Sequence, residues 1–238
     1  MRRSRPVVAI DGPAGSGKST TARAVAEELG FVHLDSGALY RAVTLVALEG
    51  PGAPDSWDGA TLAERARARR VALVRRASEP AFDVTVDGRV VGQELRTEAV
   101  THEVSRVAAM GPVRDLVNGL LRDAARDGGV VLDGRDIGTA VFPDAEVKVF
   151  LVAEAAERAR RRLAERRRQT DGASVAAEAE ALGRRDEYDR RRDLAPLARA
   201  ADAVLLDTTG LAFREQVRAV VELVQRAAAS LDPTRSHG

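Results

Sequence analysis

Val7-Val8-Ala9-Ile10-Asp11-Gly12-Pro13-Ala14-Gly15-Ser16-Gly17-Lys18-Ser19 decides the fold. Four consecutive apolar residues closed by Asp11 read as a short strand buried on both faces, the pattern of a parallel sheet. A glycine-rich turn, Gly12 to Gly17, comes next. Ser19 to Leu29 then sets Ala22, Val25, Ala26 and Leu29 on one side of a helix that Gly30 stops. Strand, glycine turn and helix in that order are the setting in which G-x-x-x-x-G-K-[ST] acts as a phosphate-binding loop. The glycines let backbone N–H groups turn inward around a β-phosphate, and the helix N-terminus adds its positive dipole. Lys18 is expected to reach the β- and γ-phosphates, and the Ser19 hydroxyl to ligate Mg²⁺. Gly12, Pro13, Ala14, Gly15, Ser16, Gly17, Lys18, Ser19 and Thr20 are therefore the expected triphosphate-binding residues, with Ser19 the metal ligand.

Working outward, Phe31 to Asp35 reads as a second strand and Ser36 to about Leu48 as a helix. Residues 51–61 are rich in Gly, Pro, Asp and Ser and read as a loop. Leu62 to Arg76 reads as one charged helix. Phe82 to Val91 alternates apolar and polar residues around Asp87-Gly88, a strong hairpin signal. That antiparallel unit lies inside a chain whose other strands look parallel, so residues 51–97 read as an inserted subdomain. Helical pattern resumes from Thr97 to Arg126 with a break at Gly111-Pro112. Val130 to Asp133 reads as a third buried strand, Val147 to Leu151 as a fourth strand and Ala203 to Asp207 as a fifth. Between the last two, Ala153 to Gln169 is a very basic helix, Thr170-Asp171-Gly172 a flexible link and Val175 to Arg192 another helix. Leu211 to Ser230 is the last helix, and residues 231–238 read as a frayed tail. Five short apolar strands alternating with helices predict a three-layer α/β fold with a five-stranded parallel sheet. Ligands in such sheets bind beyond the carboxyl ends of the strands.

Composition excludes other chemistries. Among 238 residues there is no Cys, so there are no disulfides, thiolate metal sites or cysteine nucleophiles. Three scattered His (His33, His102, His237) make no metal cluster, and eight aromatics make no base-stacking surface. A net charge of +1 leaves no broad polyanion footprint, so no nucleic acid is expected as a partner. No apolar run approaches a membrane span or a signal peptide, and a cytoplasmic protein is the expectation. Of the 37 cationic side chains only Lys18 and Lys148 are lysines, a bias of the kind that GC-rich coding produces. The absence of an N-K-x-D motif argues against a GTPase. Short length argues against a motor. Arginines beside carboxylates at strand ends suit transfer between two phosphate-bearing substrates, because guanidinium groups clamp phosphates in bidentate geometry.

Four further segments carry a specific resemblance: Asp35-Ser36-Gly37-Ala38-Leu39-Tyr40-Arg41, Asp133-Gly134-Arg135-Asp136-Ile137-Gly138-Thr139, Val141-Phe142-Pro143-Asp144-Ala145, and Arg185-Asp186-Glu187-Tyr188-Asp189-Arg190-Arg191-Arg192. Together with the phosphate loop, they resemble bacterial cytidylate kinases over about residues 6 to 229. The resemblance implies a three-layer α/β/α P-loop kinase fold. Its core would be residues 6–50, 98–152 and 195–230. A small α+β subdomain binding the monophosphate would be inserted at 51–97, and residues 153–192 would form a helical lid. It implies ATP and Mg²⁺ as cofactors, CMP and dCMP as the substrates phosphorylated to CDP and dCDP in pyrimidine nucleotide metabolism, and a monomer.

Residue by residue, the resemblance makes Ser36, Arg114, Asp136, Arg192 and Ser105 readers of cytosine. Arg41, Arg135 and Arg185 become ligands of the CMP phosphate, and Asp189 with Arg185 a ribose contact. Cytosine offers one amine donor and two acceptors, so a carboxylate or hydroxyl with an arginine is the matching set. Lys18, Arg135, Arg185, Arg158 and Arg162 are the expected catalytic cations, with Arg158, Arg161 and Arg162 swinging over the triphosphate; a solvated face is the alternative for any one of the seven arginines between 158 and 168. Asp133 either holds Mg²⁺ through water or positions the Arg135 loop. Asp11 and Asp207 are expected to fix loops or cap helices. His33 is expected to be a packed strand residue and Trp57 a local packing residue. No catalytic base is expected, because the accepting phosphate is already an oxyanion. A uridylate- or shikimate-type kinase is the nearest alternative, and a non-catalytic nucleotide-binding regulator the distant one.

Overall fold

The computed structural model describes residues 3, 5–76, 79–166 and 174–231. Strands β1 (Val7–Asp11), β2 (Val32–Asp35), β6 (Val130–Gly134), β7 (Val147–Val152) and β8 (Val204–Asp207) form one sheet in the order β2-β6-β1-β7-β8. Every pairing in it is parallel, with Ile10 opposite both Asp133 and Val149, and Asp35 opposite Asp133. The short apolar run therefore reads correctly: all five residues of β1 are buried. Alternation divides the run between two cores. Val7 and Ala9 pack with Leu34 and Leu132 on one face, towards helices α2 (Ser36–Glu49) and α5 (Gly111–Ala124). Val8 and Ile10 pack on the other with α1 (Lys18–Leu29) and α8 (Phe213–Leu231) through Val25, Val220 and Val224. Burial on both faces is what gives a parallel strand its unbroken apolar reading.

One helix expectation fails. The charged helix α3 covers Gly59–Ala68, not Leu62 to Arg76, and the chain re-enters as strand β3 (Ala72–Arg75). Arg70 adopts a left-handed φ of 45°, and the Val71 N–H donates to the Ala66 carbonyl, so an arginine closes the helix where a glycine would have signalled the stop. β3 then pairs antiparallel with β4 (Phe82–Val86), which pairs through the Asp87-Gly88 turn with β5 (Arg89–Val90). Strand pairing offered by the hairpin outweighs the helical preference of the arginine- and alanine-rich stretch. This small sheet touches the large one where the His33 N–H donates to the Pro80 carbonyl (3.0 Å), lying along the β2 edge.

The stretch 97–126 divides at Gly111 as expected, into α4 (Glu98–Val107) and α5. The basic helix α6 spans Ala155–Arg166, and α7 spans Val175–Arg190. The expectations for Arg167 to Gln169, the 170–172 link and His237 lie outside the described residues. No described helix is long and apolar enough to cross a membrane.

Candidate active site

Strand ends β1, β2 and β6 converge on the loop between β1 and α1. At Gly12 (φ 149°) a Cβ would sit 2.2 Å from the Leu151 carbonyl oxygen, so only glycine lets the loop leave β1 this close to β7. Gly17, left-handed at φ 91°, turns the chain into α1. The first residue of α1 is Lys18. Its buried ammonium donates to the Pro13 carbonyl (2.8 Å) across the loop. Burial, aggravated by the Arg135 charge, pushes this amine down to about 7.

Behind the loop lies a hydrogen-bonded chain of three side chains. Ser19 Oγ donates to Asp133 Oδ2 (2.5 Å), and Asp133 Oδ1 meets His33 Nε2 (2.7 Å). Burial alone would raise the Asp133 carboxyl, but the hydrogen bonds and charge from His33, with Ser19, hold it below the usual carboxylate range. Its neighbour Asp35, buried beside that charge, is pushed up. His33 is packed as expected, yet it also partners Asp133, a role invisible to sequence because 100 residues separate them. Among the described residues no group of three His, Cys, Asp or Glu could hold a metal by itself. A serine hydroxyl and a carboxylate side by side are hard oxygen donors, the set that suits Mg²⁺ completed by phosphate oxygens.

Asp11 fixes a loop: its two oxygens accept the N–H groups of Ile137 (2.8 Å) and Gly138 (2.7 Å) at the start of the π-type turn Ile137–Val141. Asp207 does likewise for Thr209.

On the α6 and α7 side, the loop is gripped from outside. Arg158 is buried against the loop; Nη1 donates to the Ala14 carbonyl (2.8 Å) and is paired with Asp186. Asp186 in turn accepts the Ala14 N–H (2.9 Å). Arg161 donates to Thr208 Oγ1 (3.0 Å) and to the Thr208 carbonyl (2.7 Å). Arg162 lies farther out, lowering the Arg41 and Arg185 pKa values by its charge. Ser16 is fully buried and bonded to the Pro13 carbonyl, whereas Thr20 is exposed.

The expected acceptor residues gather on the opposite wall. Arg135, from the turn after β6, donates to Asp189 (3.0 Å) and to the Gly12 carbonyl (3.2 Å). Arg41 donates to the Leu95 carbonyl (3.0 Å) and Thr101 Oγ1 (2.9 Å). Arg185 Nε and Arg192 Nη2 are buried without a hydrogen-bond partner. Burial and neighbouring guanidinium groups push both Arg41 and Arg185 down to about 10. Deeper in, Arg114 pairs with Asp136, both 4% exposed, while Arg114 also donates to the Ala108 carbonyl (3.0 Å) and stacks over the Tyr40 ring. Burial raises Asp136, and Arg114 and Arg192 pull against that. Ser36 Oγ donates to the Asp133 carbonyl (2.7 Å), closing the floor. A cavity of about 660 Å³ between α4 and α7 brings Ser105, Arg162, Arg185 and Tyr188 onto one lining. Asp186 and His33 join the site without a role expected from sequence.

A parallel sheet of this order, with the glycine loop between its central strand and the following helix, defines the P-loop kinases, which are phosphotransferases. A solved structure of an uncharacterised protein from Eubacterium ventriosum shares the fold, with a TM-score of 0.51 over 93% of this chain and 99% of its own at 10% identity. The family model described as cytidylate kinase matches residues 8–226. A cytidylate kinase of Chlorobaculum tepidum is 44% identical over 226 residues, 92% of this chain and 93% of its own. One of Geobacter sulfurreducens is 43% identical over 92% of both chains. The chain belongs to the cytidylate kinase family.

Proposed function

We propose that this protein transfers the γ-phosphoryl group of ATP to the phosphate of CMP and of dCMP, yielding ADP with CDP or dCDP. An oxygen of the monophosphate attacks the γ-phosphorus. The bond to the β–γ bridging oxygen breaks, and ADP leaves with that electron pair. Little general-base help is needed, because the attacking group is already an oxyanion. The residues do electrostatic work. Lys18 follows charge moving onto the bridging oxygen, while Arg135, Arg185 and Arg41 hold the acceptor phosphate against repulsion from the donor. Ser19, with Asp133 beside it, would hold Mg²⁺, which when bound neutralises the β- and γ-oxygens. Arg158 and Arg162 belong to a lid at 153–192 that keeps water out, and the insert at 51–97 closes over the monophosphate.

Base choice rests on the buried Arg114–Asp136 pair with Ser36, Ser105 and Arg192. A carboxylate and a hydroxyl take the cytosine amine, and a guanidinium takes its acceptors. Uracil would leave these groups unpaired in a buried site. Asp189 with Arg185 takes the ribose. The observation that carries the reading is the acceptor wall itself, where like-charged guanidinium groups stand beside the phosphate loop and the buried Arg185 Nε lacks a partner. Such a wall is completed by an anion. The reading describes a monomer in pyrimidine nucleotide metabolism that acts on small molecules, without nucleic acid or membrane.

The test is a coupled assay with CMP, dCMP, UMP, AMP and shikimate under ATP and Mg²⁺. CMP and dCMP are expected to exceed the others in kcat/KM by at least about 100-fold, the order that unpaired buried polar groups impose. Better turnover of UMP, AMP or shikimate would sink the cytosine assignment. Binding of ATP with no turnover of any acceptor would mark a regulator.

A further inference from the structure

Two bridges tie the outer lip of the phosphate loop to α7. Asp186 holds Ala14 from both sides of its peptide units: its own Oδ1 accepts the Ala14 N–H at 2.9 Å, and its Oδ2 pairs with Arg158, whose Nη1 also donates to the Ala14 carbonyl at 2.8 Å. One turn further along α7, Asp189 pairs with Arg135 at 3.0 Å, and Arg135 donates to the Gly12 carbonyl at 3.2 Å. Asp186 is 1% exposed and Asp189 3%, so both bridges lie in a low-dielectric setting where a carboxylate must keep its partners. Arg185, adjacent in sequence to Asp186 on the same helix, lines the acceptor cavity with Nε unpartnered.

The two bridges differ in how they respond to substrates. An acceptor phosphate and ribose compete directly for Arg135 and Asp189, so binding there changes the Gly12 bridge. Among the described residues the hydrogen bonds of Asp186 go to Ala14 and Arg158, neither of which belongs to the acceptor wall. Asp186 remains the fixed link by which a displacement of α7 reaches Ala14 and the loop. We propose that Asp186 is a positioning residue that couples the two substrate sites, so that filling the acceptor site sets the loop in its triphosphate-binding shape. Asp186 touches neither substrate; it acts through Ala14 and Arg158. The inference rests on the acceptor reading given above.

Coupling is reciprocal and is measured as a change in affinity. The experiment is titration calorimetry on the full chain with Mg²⁺ and a non-hydrolysable ATP analogue, with and without saturating CMP, and the mirror titration of CMP with and without the analogue. The wild-type protein is expected to bind each ligand about fivefold or more tighter when the other is present, the lower end of ordinary coupling factors. In Asp186→Asn, which keeps an acceptor for the Ala14 N–H but loses the charge pair, the factor is expected to drop to within about twofold in both directions. CMP affinity measured alone should stay unchanged. Arg158→Lys, which keeps the cation but loses the two-point hold on Asp186 and the Ala14 carbonyl, is expected to lower the factor likewise, which decides the matter if the Asp186 variant does not fold. Failure of CMP to bind the wild-type protein would refute the acceptor reading. Binding of both ligands without mutual tightening would refute the coupling alone. A variant that loses affinity for both ligands but keeps the wild-type coupling factor would show Asp186 to be merely structural.

Discussion

The loop wall and the acceptor wall are both built from buried cations and differ in how much like charge surrounds them. On the loop wall each cation has been given an internal ligand: Lys18 rests on the Pro13 carbonyl, Arg158 on Asp186 and the Ala14 carbonyl, Arg161 on Thr208. On the acceptor wall Arg41 keeps two acceptors, the Leu95 carbonyl and Thr101 Oγ1, yet burial among other guanidinium groups lowers both Arg41 and Arg185, and Arg185 Nε is left without a partner, as Arg158 Nε is on the loop wall. The first arrangement keeps a loop in shape without its ligand, and a triphosphate must displace the stand-ins. The second stores repulsion that an incoming phosphate relieves. Pre-organisation by internal hydrogen bonds and pre-organisation by unspent charge are thus separated by a few residues of chain.

The contrast breaks most visibly at Lys18. Replacement by Ala removes the cation proposed to meet charge on the bridging oxygen, and kcat is expected to fall by roughly 10³-fold, at the upper end of the cost of one transition-state ligand. An unchanged kcat in the coupled assay would move the chemistry away from the loop. Next comes Arg185→Gln, which takes a charge from the acceptor wall only. KM for CMP should rise by about 10- to 100-fold, the loss of a charged hydrogen-bond partner, while KM for ATP stays within about twofold. Equal rises in both constants would erase the distinction between the walls. The finest test uses protons. With its pKa near 7, Lys18 is mostly neutral at pH 8 in the free protein. A bound polyanion favours the charged form, so ATP binding takes up a fraction of a proton per site at pH 8 and less at pH 6, where the amine is already protonated. Calorimetry in two buffers of different ionisation enthalpy reads that number, and Lys18→Met should abolish it.

The unliganded protein shows the same linkage with a definite sign. A depressed lysine pKa means that the folded state binds fewer protons than the unfolded one between about pH 7 and the ordinary lysine value of 10.5. The contribution of Lys18 to stability is therefore present above the unfolded value and is lost as pH falls towards 7.

Much of this was legible in the chain. The β1 run and the glycine loop declare themselves because burial on both faces and left-handed turns restrict the residues used. The expected acceptor arginines come from motifs of the family resemblance; Arg135 lies just beyond β6, whereas Arg41 and Arg185 stand on α2 and α7. What escaped notice depended on partners distant in sequence. Asp186 meets Ala14 across 172 residues, and His33 meets Asp133 across 100. Neither pairing leaves a periodic trace. Strand β3 hides behind a helical sequence pattern for a different reason: Arg70 takes a left-handed conformation that sequence normally advertises with glycine.

The scarcity of amines gives the protein an analytical handle. Apart from the N-terminus, only Lys18 and Lys148 can be acylated. Lys148 is capped by both oxygens of Asp202 and by the Pro143 carbonyl. Lys18, by contrast, is a largely neutral nucleophile at mildly alkaline pH. An anionic acylating reagent that enters the loop would therefore mark one internal position, and a single mass increment on one peptide would report how often that loop stands empty.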